Sequence, residues 1–237
     1  RRQRQMCIRD RYNVYYEDTD CSFYLSSHYL FYYNSYAFSL VRSRFGRIVG
    51  SPCSILHSKT GINKLLDENK IQIIFAGKFH PDDVMGKEMF NKLLNRSHSL
   101  KNVVVLPGYE LELSGMLKRG SDIWLNTPLR PFEASGTSGM SANANGALHL
   151  STFDGWTVEG TFDGINGYTI EYPELDDEMP WEERHWKDHE CMMNKIENEI
   201  IPTYYENKME WARMMRQAIR TSEAYLSLIH ISEPTRH

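Results

Sequence analysis

A carboxylate followed at once by small, hydroxyl-bearing and glycine residues is the part of this chain best suited to chemistry: Glu133 in EASGTSGM, with Ser135, Gly136, Thr137, Ser138 and Gly139 behind it. Gly136 and Gly139 let the backbone come close to a ligand, and the hydroxyls stand beside amides that a helix N-terminus leaves unpaired. Such a seat suits an anionic or polyhydroxylated ligand. A carboxylate at a strand end facing it can accept two hydroxyl hydrogen bonds from a hexose, each worth roughly 1.5–3 kcal/mol. The plainer assignment for Glu133 is a first-turn acid serving only the helix dipole. For Ser135, Thr137 and Tyr109 the plainer assignment is turn formation.

Other residues with chemical potential are less well supported. His80 precedes Pro81 in a loop, a setting that is usually structural. His185 and His189 stand at i, i+4 in WEERHWKDHE, but the pair lacks the acid and third ligand of a metal site, so no metal is expected. Asp154, Trp156 and Glu159 follow a strand end, where they would wall the same seat; Trp156 is equally suited to the core. Met209, Trp211, Met214 and Met215 read as core packing.

The elements that must position Glu133 follow from hydrophobic period. Ile62, Leu65 and Leu66 at helical spacing end at DENK, and IQIIFAG is a β-branched run closed by glycine. Pro81 and Asp82 open a helix with Val84, Phe90, Leu93 and Leu94 on one face. VVVLPG is a strand, LELSGMLKR a helix, DIWLN a strand, and a helix and a further strand follow EASG. Strands alternating with helices predict an α/β fold, a Rossmann-like, doubly wound parallel sheet. Ligands gather at the carboxyl ends of such strands, so the loops after Phe75, Leu106 and Asn126 should converge on one rim. After Tyr172 the composition turns acidic, which reads as an exposed linker or short capping segment. C-terminal helices follow, broken at Pro202.

Three ordered words, IIFAGKFHPDDVMGKEMF at 73–90, VVVLPGYELELSGMLKRGSDIWLNTPLRP at 103–131 and the EASGTSGM run, together with DGW at 154–156, carry a resemblance. The stretch from about Gln72 to Ile170 resembles the glycogen (α-glucan) phosphorylase family, most closely its short bacterial and archaeal type. The resemblance implies the C-terminal half of a GT-B glycosyltransferase that releases glucose 1-phosphate from α-1,4-glucan, with the opposing amino-terminal domain absent from this chain. It implies that Glu133 holds sugar hydroxyls, that Ser135 and Gly136 hold the same sugar through their amides, and that Tyr109 and Thr137 face the phosphate of pyridoxal phosphate. Its partners would be α-glucan and a phosphate or sugar-phosphate ligand.

The chain departs from the family pattern in two places. The family holds its cofactor as an imine on the Lys of GMK, whereas this chain reads GMS, with Ser141 at that position and no Lys between Arg130 and Tyr172. The family's phosphate-clamping basic pair would fall near FGRIVG, where only Arg47 is basic. These departures leave two further readings open. EASGTSGMSANANGALHL also resembles the EPCGL-type word of glycogen and starch synthases, in which a helix N-terminus takes a diphosphate leaving group. The other is a glucan-binding homologue without catalysis.

The 237 residues, 41% hydrophobic and 24% charged, have the composition of an ordinary globular protein. No stretch reaches the ~18 unbroken apolar residues of a membrane span. RRQRQMCIRDR at 1–11 and SLIHISEPTRH at 227–237 resemble translated sequencing-adapter read-through, so neither end is expected to carry targeting information. Without them 21 basic residues face 29 acidic ones, a balance of −8 against −4 for the whole chain, which argues against a nucleic-acid partner. Cys7, Cys21, Cys53 and Cys191 form no CxxC pair and point to a reducing, cytoplasmic setting. The organisation expected is an unassigned segment at 12–60, the Rossmann-like domain at 61–172, and an acidic linker with C-terminal helices at 173–226.

Overall fold

A computed structural model describes residues 46–48 and residues 61–231 except 69, 78–83, 108, 129, 132, 134 and 174–178. The strands are β1 (Gly46–Ile48), β2 (Ile71–Gly77), β3 (Val103–Pro107), β4 (Ile123–Asn126), β5 (Leu148–Thr152) and β6 (Gly167–Ile170). The first helices are α1 (Gly61–Asp67), α2 (Val84–Ser97), α3 (Leu111–Gly120), α4 (Thr137–Ala144) and α5 (Thr157–Gly160). α6 (Trp181–Lys195), a π-turn (Ile196–Ile200), α7 (Ile201–Glu206) and α8 (Lys208–Ile231) complete the order.

The β-branched runs form two parallel half-sheets, ordered β1-β2-β3 and β4-β5-β6. Ile73 pairs with Val103, and Leu125 pairs with Leu150. β1 lies against β4, so the strands read 3-2-1-4-5-6 across the molecule and the chain reverses direction at the β1/β4 seam. This is the doubly wound order expected from the sequence, and its seam is where ligands bind in such sheets.

β4, β5 and β6 are buried at every position, as parallel strands covered on both faces must be. The edge strand β3 instead exposes Val104 at 40%. Among the described residues Trp124, Tyr168, Phe75, Leu66, Ile71, Ile73 and Ile123 are the largest side chains fully removed from water, and burial of each aliphatic or Phe side chain stabilises the fold by roughly 1.5–3 kcal/mol. α8 packs on α4 and buries Met214 and Ala218 in the core, and Tyr205 donates from Oη to the Lys70 carbonyl at 2.8 Å, tying the last helical layer to the first half-sheet.

Three expectations change. Pro202 does not break the helix: the π-turn before it widens the coil where the proline lacks its N–H, and helix continues to Glu206. The stop is Asn207, whose Oδ1 accepts the Glu210 amide at 3.1 Å and so opens α8. The acidic stretch is not a linker throughout, because from Trp181 it is helical and buries Arg184. Arg184 donates from Nη1 to the Arg130 carbonyl and from Nη2 to the Met179 carbonyl, contacts that fasten α6 to the loop after β4. Within the methionine stripe, Trp211 and Met214 are core, whereas Met209 is 79% exposed. α8 also runs to Ile231, into the stretch at 227–237.

Candidate active site

Because β4 and β5 are parallel neighbours, the chain leaves both at the same edge, after Asn126 and after Thr152. These two exits are laced together. Thr152 donates from Oγ1 to the Pro128 carbonyl at 2.9 Å, the Glu133 amide donates to Asp154 Oδ2 at 2.8 Å, and the Trp156 amide donates to the Ser135 carbonyl at 2.8 Å. Asp154 Oδ1 also accepts the Gly155 amide at 2.8 Å. Glu133 and Ser135 of the EASG loop are therefore held as a lip over the end of β5.

Glu133 is 8% exposed, and its Oε1 accepts the Ser135 amide at 3.4 Å. Gly136 follows with φ 87°, a left-handed conformation that turns the chain into α4. A Cβ at Gly136 would meet Trp156 Cδ1 at 3.2 Å. At Gly139, a Cβ would stand 2.6 Å from His149 Nε2 and 2.9 Å from Trp156 Nε1, so glycine is required by packing. The sequence pointed to these glycines for ligand approach; the structure adds that they make room for two rings beneath α4.

Trp156 belongs to the core, at 3% exposure. It stacks on His149 with ring centroids 5.3 Å apart and planes 19° from parallel, and Tyr225 meets its other side edge-on at 5.9 Å. His149 is fully buried, and neither ring nitrogen has a hydrogen-bond partner among the described residues. Burial pushes its imidazole down to about 3, so the ring is neutral at physiological pH. The sequence carried no signal for His149, because a histidine inside an apolar strand word is silent on pairing.

Of the other sequence-selected residues, Thr137 opens α4 and is exposed, beside the lip. Ser141 turns inward on its own helix, its Oγ lying 3.0 Å from the carbonyls of both Thr137 and Ser138. Tyr109 precedes α3, which packs on α4, and donates from Oη to Ser114 Oγ at 2.6 Å. Burial raises its phenol above the usual value. The structure thus brings Glu133, Ser135, Gly136 and Thr137 together and attaches Asp154 to them. Tyr109 is anchored instead to the first turn of α3. His80 lies outside the described residues, as does most of the AGKFHP loop. Arg47 sits mid-β1, paired with Gln72.

An open cavity of about 1200 Å³ lies elsewhere, lined by Lys64 of α1, Tyr172 after β6, and His189, Cys191 and Lys195 of α6. None of Tyr109, Glu133, Ser135, Gly136, Thr137 and Ser141 borders it. Near it Asp188 is pushed up to about 6, first by burial. His185 and His189 flank Trp186 edge-on, and among the described residues no three His, Cys, Asp or Glu side chains gather in a way that could hold a metal.

Comparison with known proteins covers this region. Residues 55–164 match the family described as carbohydrate phosphorylase. The chain is 44% identical over 157 residues to a maltodextrin phosphorylase of Thermococcus litoralis, covering 65% of this chain and 18% of that protein. It is 40% identical over 162 residues to a glycogen phosphorylase of Aquifex aeolicus, covering 65% and 22%. A glycogen phosphorylase of Mycobacterium tuberculosis is 36% identical over 166 residues, covering 66% and 19%. The chain thus spans about a fifth of the length of the curated relatives it matches. Among solved structures, a glycosyltransferase from Rickettsia africae aligns with TM-score 0.49 and 16% identity over 77% of this chain and 44% of that one. The catalytic domain of starch synthase IV from Arabidopsis thaliana aligns with TM-score 0.48 and 18% identity over 81% and 39%.

Proposed function

We propose, because residues 55–164 match the family described as carbohydrate phosphorylase, that the parent protein is an α-glucan phosphorylase-like glycosyltransferase and that this chain contributes its glucosyl seat. The supporting observation is the laced lip: a buried carboxylate at the exit of β4, tied to Asp154, immediately ahead of the left-handed Gly136 and the first amides of α4. In this reading Glu133 accepts hydrogen bonds from sugar hydroxyls. The amides of Ser135 and Gly136 donate to the same ring, and the α4 terminus faces the anion beside it. The opposing domain that completes the cleft belongs to the rest of the parent protein, and the protein is cytoplasmic. The isolated chain has no turnover.

Pyridoxal phosphate, the family cofactor, forms its covalent link through an amine, and Ser141 supplies only a hydroxyl already turned onto Thr137 and Ser138. The residues present do not fit that attachment. The same observation favours a second reading, a nucleotide-sugar glucosyltransferase, in which the α4 terminus would take a diphosphate.

Thermal unfolding of the chain with a ligand panel separates the two. Glucose 1-phosphate at a hundred times its Kd should stabilise the fold by about 2.7 kcal/mol, with ADP-glucose and UDP-glucose silent. Protection by a nucleotide-sugar and none by glucose 1-phosphate would replace the first reading with the second.

A further inference from the structure

We propose that Asp154 is a positioning residue, the group that fixes Glu133 in the orientation in which it meets the sugar; this rests on the glucosyl reading of Glu133. One carboxylate serves two amides from two loops, Glu133 through Oδ2 and Gly155 through Oδ1, each at 2.8 Å. The Trp156 amide on the Ser135 carbonyl makes a second rung two residues along. Between the rungs the two loops are in close contact. Gly155 has φ 58°, and a Cβ there would stand 2.7 Å from Glu133 Cγ and 2.8 Å from the Ser135 carbonyl oxygen. The Glu133 side chain therefore runs directly across the bare Cα of Gly155. The rung that Asp154 makes holds the Glu133 backbone, and with it the place where the side chain starts, against Gly155.

The residue type follows from the bond count. A carboxylate accepts at both oxygens, and its charge strengthens both bonds. Asparagine would accept one amide and turn an NH2 group onto the other. Alanine would release both.

The chain is titrated with glucose 1-phosphate and followed by two-dimensional amide NMR, for the unaltered protein, E133Q, D154N, D154A and the E133Q/D154A double variant. Amide exchange at residues 133 and 155 is measured without ligand. D154A should speed exchange at Glu133 and Gly155, leave α8 protected, and weaken binding about tenfold or more. D154N should fall between D154A and the unaltered chain. The double variant should bind no worse than the weaker single one, because both changes act through one carboxylate. Additive losses, or faster exchange throughout α4 and α8, would reduce Asp154 to a structural residue and overturn the proposal. Normal binding by D154A with binding impaired in E133Q would overturn the positioning role and leave the sugar reading intact. Unaltered binding in E133Q, or no saturable response from the unaltered chain, would remove the sugar reading and the positioning role with it.

Discussion

Acidification should weaken this fold through one buried ring. His149 lies fully buried against Trp156, neutral, with its imidazole pushed down to about 3. In the unfolded chain the same group titrates near 6.5, so the unfolded state binds the proton first. The sign follows: the contribution of the neutral ring is intact above about pH 6.5, is lost as pH falls below that value, and the loss levels off near the folded value. At about pH 5 the unfolded chain gains roughly 2 kcal/mol relative to about pH 8, whatever the folded value as long as it stays below about 4. Asp188, pushed up to about 6, works in the opposite direction, so the raw profile mixes the two. A His149→Leu variant isolates the ring. Urea unfolding of both proteins, followed by tryptophan fluorescence from about pH 8 to about pH 5, should show the stability difference between them shrinking by about 2 kcal/mol. Parallel profiles, within about 0.5 kcal/mol, would mean that the folded ring accepts a proton as easily as the unfolded one, and the burial argument would fail.

Two further outcomes follow from geometry. Gly139→Ala places a Cβ 2.6 Å from His149 and should cost about 1–3 kcal/mol by urea unfolding, whereas Gly115→Ala in α3 meets only the flexible end of Arg119 at 3.1 Å and should gain about 0.5–1 kcal/mol. Ser141→Lys should let pyridoxal phosphate be fixed to the chain by borohydride reduction, read as an added mass at residue 141, while the unaltered chain takes no label there; labelling of both proteins at that peptide would refute the assignment of the position.

Much of this was legible in the letters, for identifiable reasons. The strands β2 to β4 are apolar runs rich in β-branched residues and closed by glycine, proline or asparagine, and buried parallel strands leave few other ways to write them. The turn into α4 was legible because glycines beside small hydroxyl residues mark a close turn and a helix start, whereas the letters alone leave Glu133 equally suited to serving the helix dipole. The lacing was not, since Asp154 is 21 residues from Glu133 and nothing local marks the pairing. Pro202 misled because a proline in a first turn after a widened turn costs little, and the acidic segment misled because its composition hides one buried arginine. Trp156 suits wall and core alike in the letters, and the buried ring of His149 stacked on it is what makes it core.

α8 ties the candidate site to a distant part of the sequence. Its Met215 and Ile219 lie 3.3 and 3.7 Å from where a Cβ of Gly146 would stand, just past the end of α4, and its Tyr225 donates to the Glu159 carbonyl at 2.7 Å and meets the Trp156 ring edge-on. The floor under α4 and the wall behind Trp156 are thus borrowed from a helix that enters the sequence only after the whole sheet has been written. Any change that loosens α8 is felt at the EASG loop without touching it.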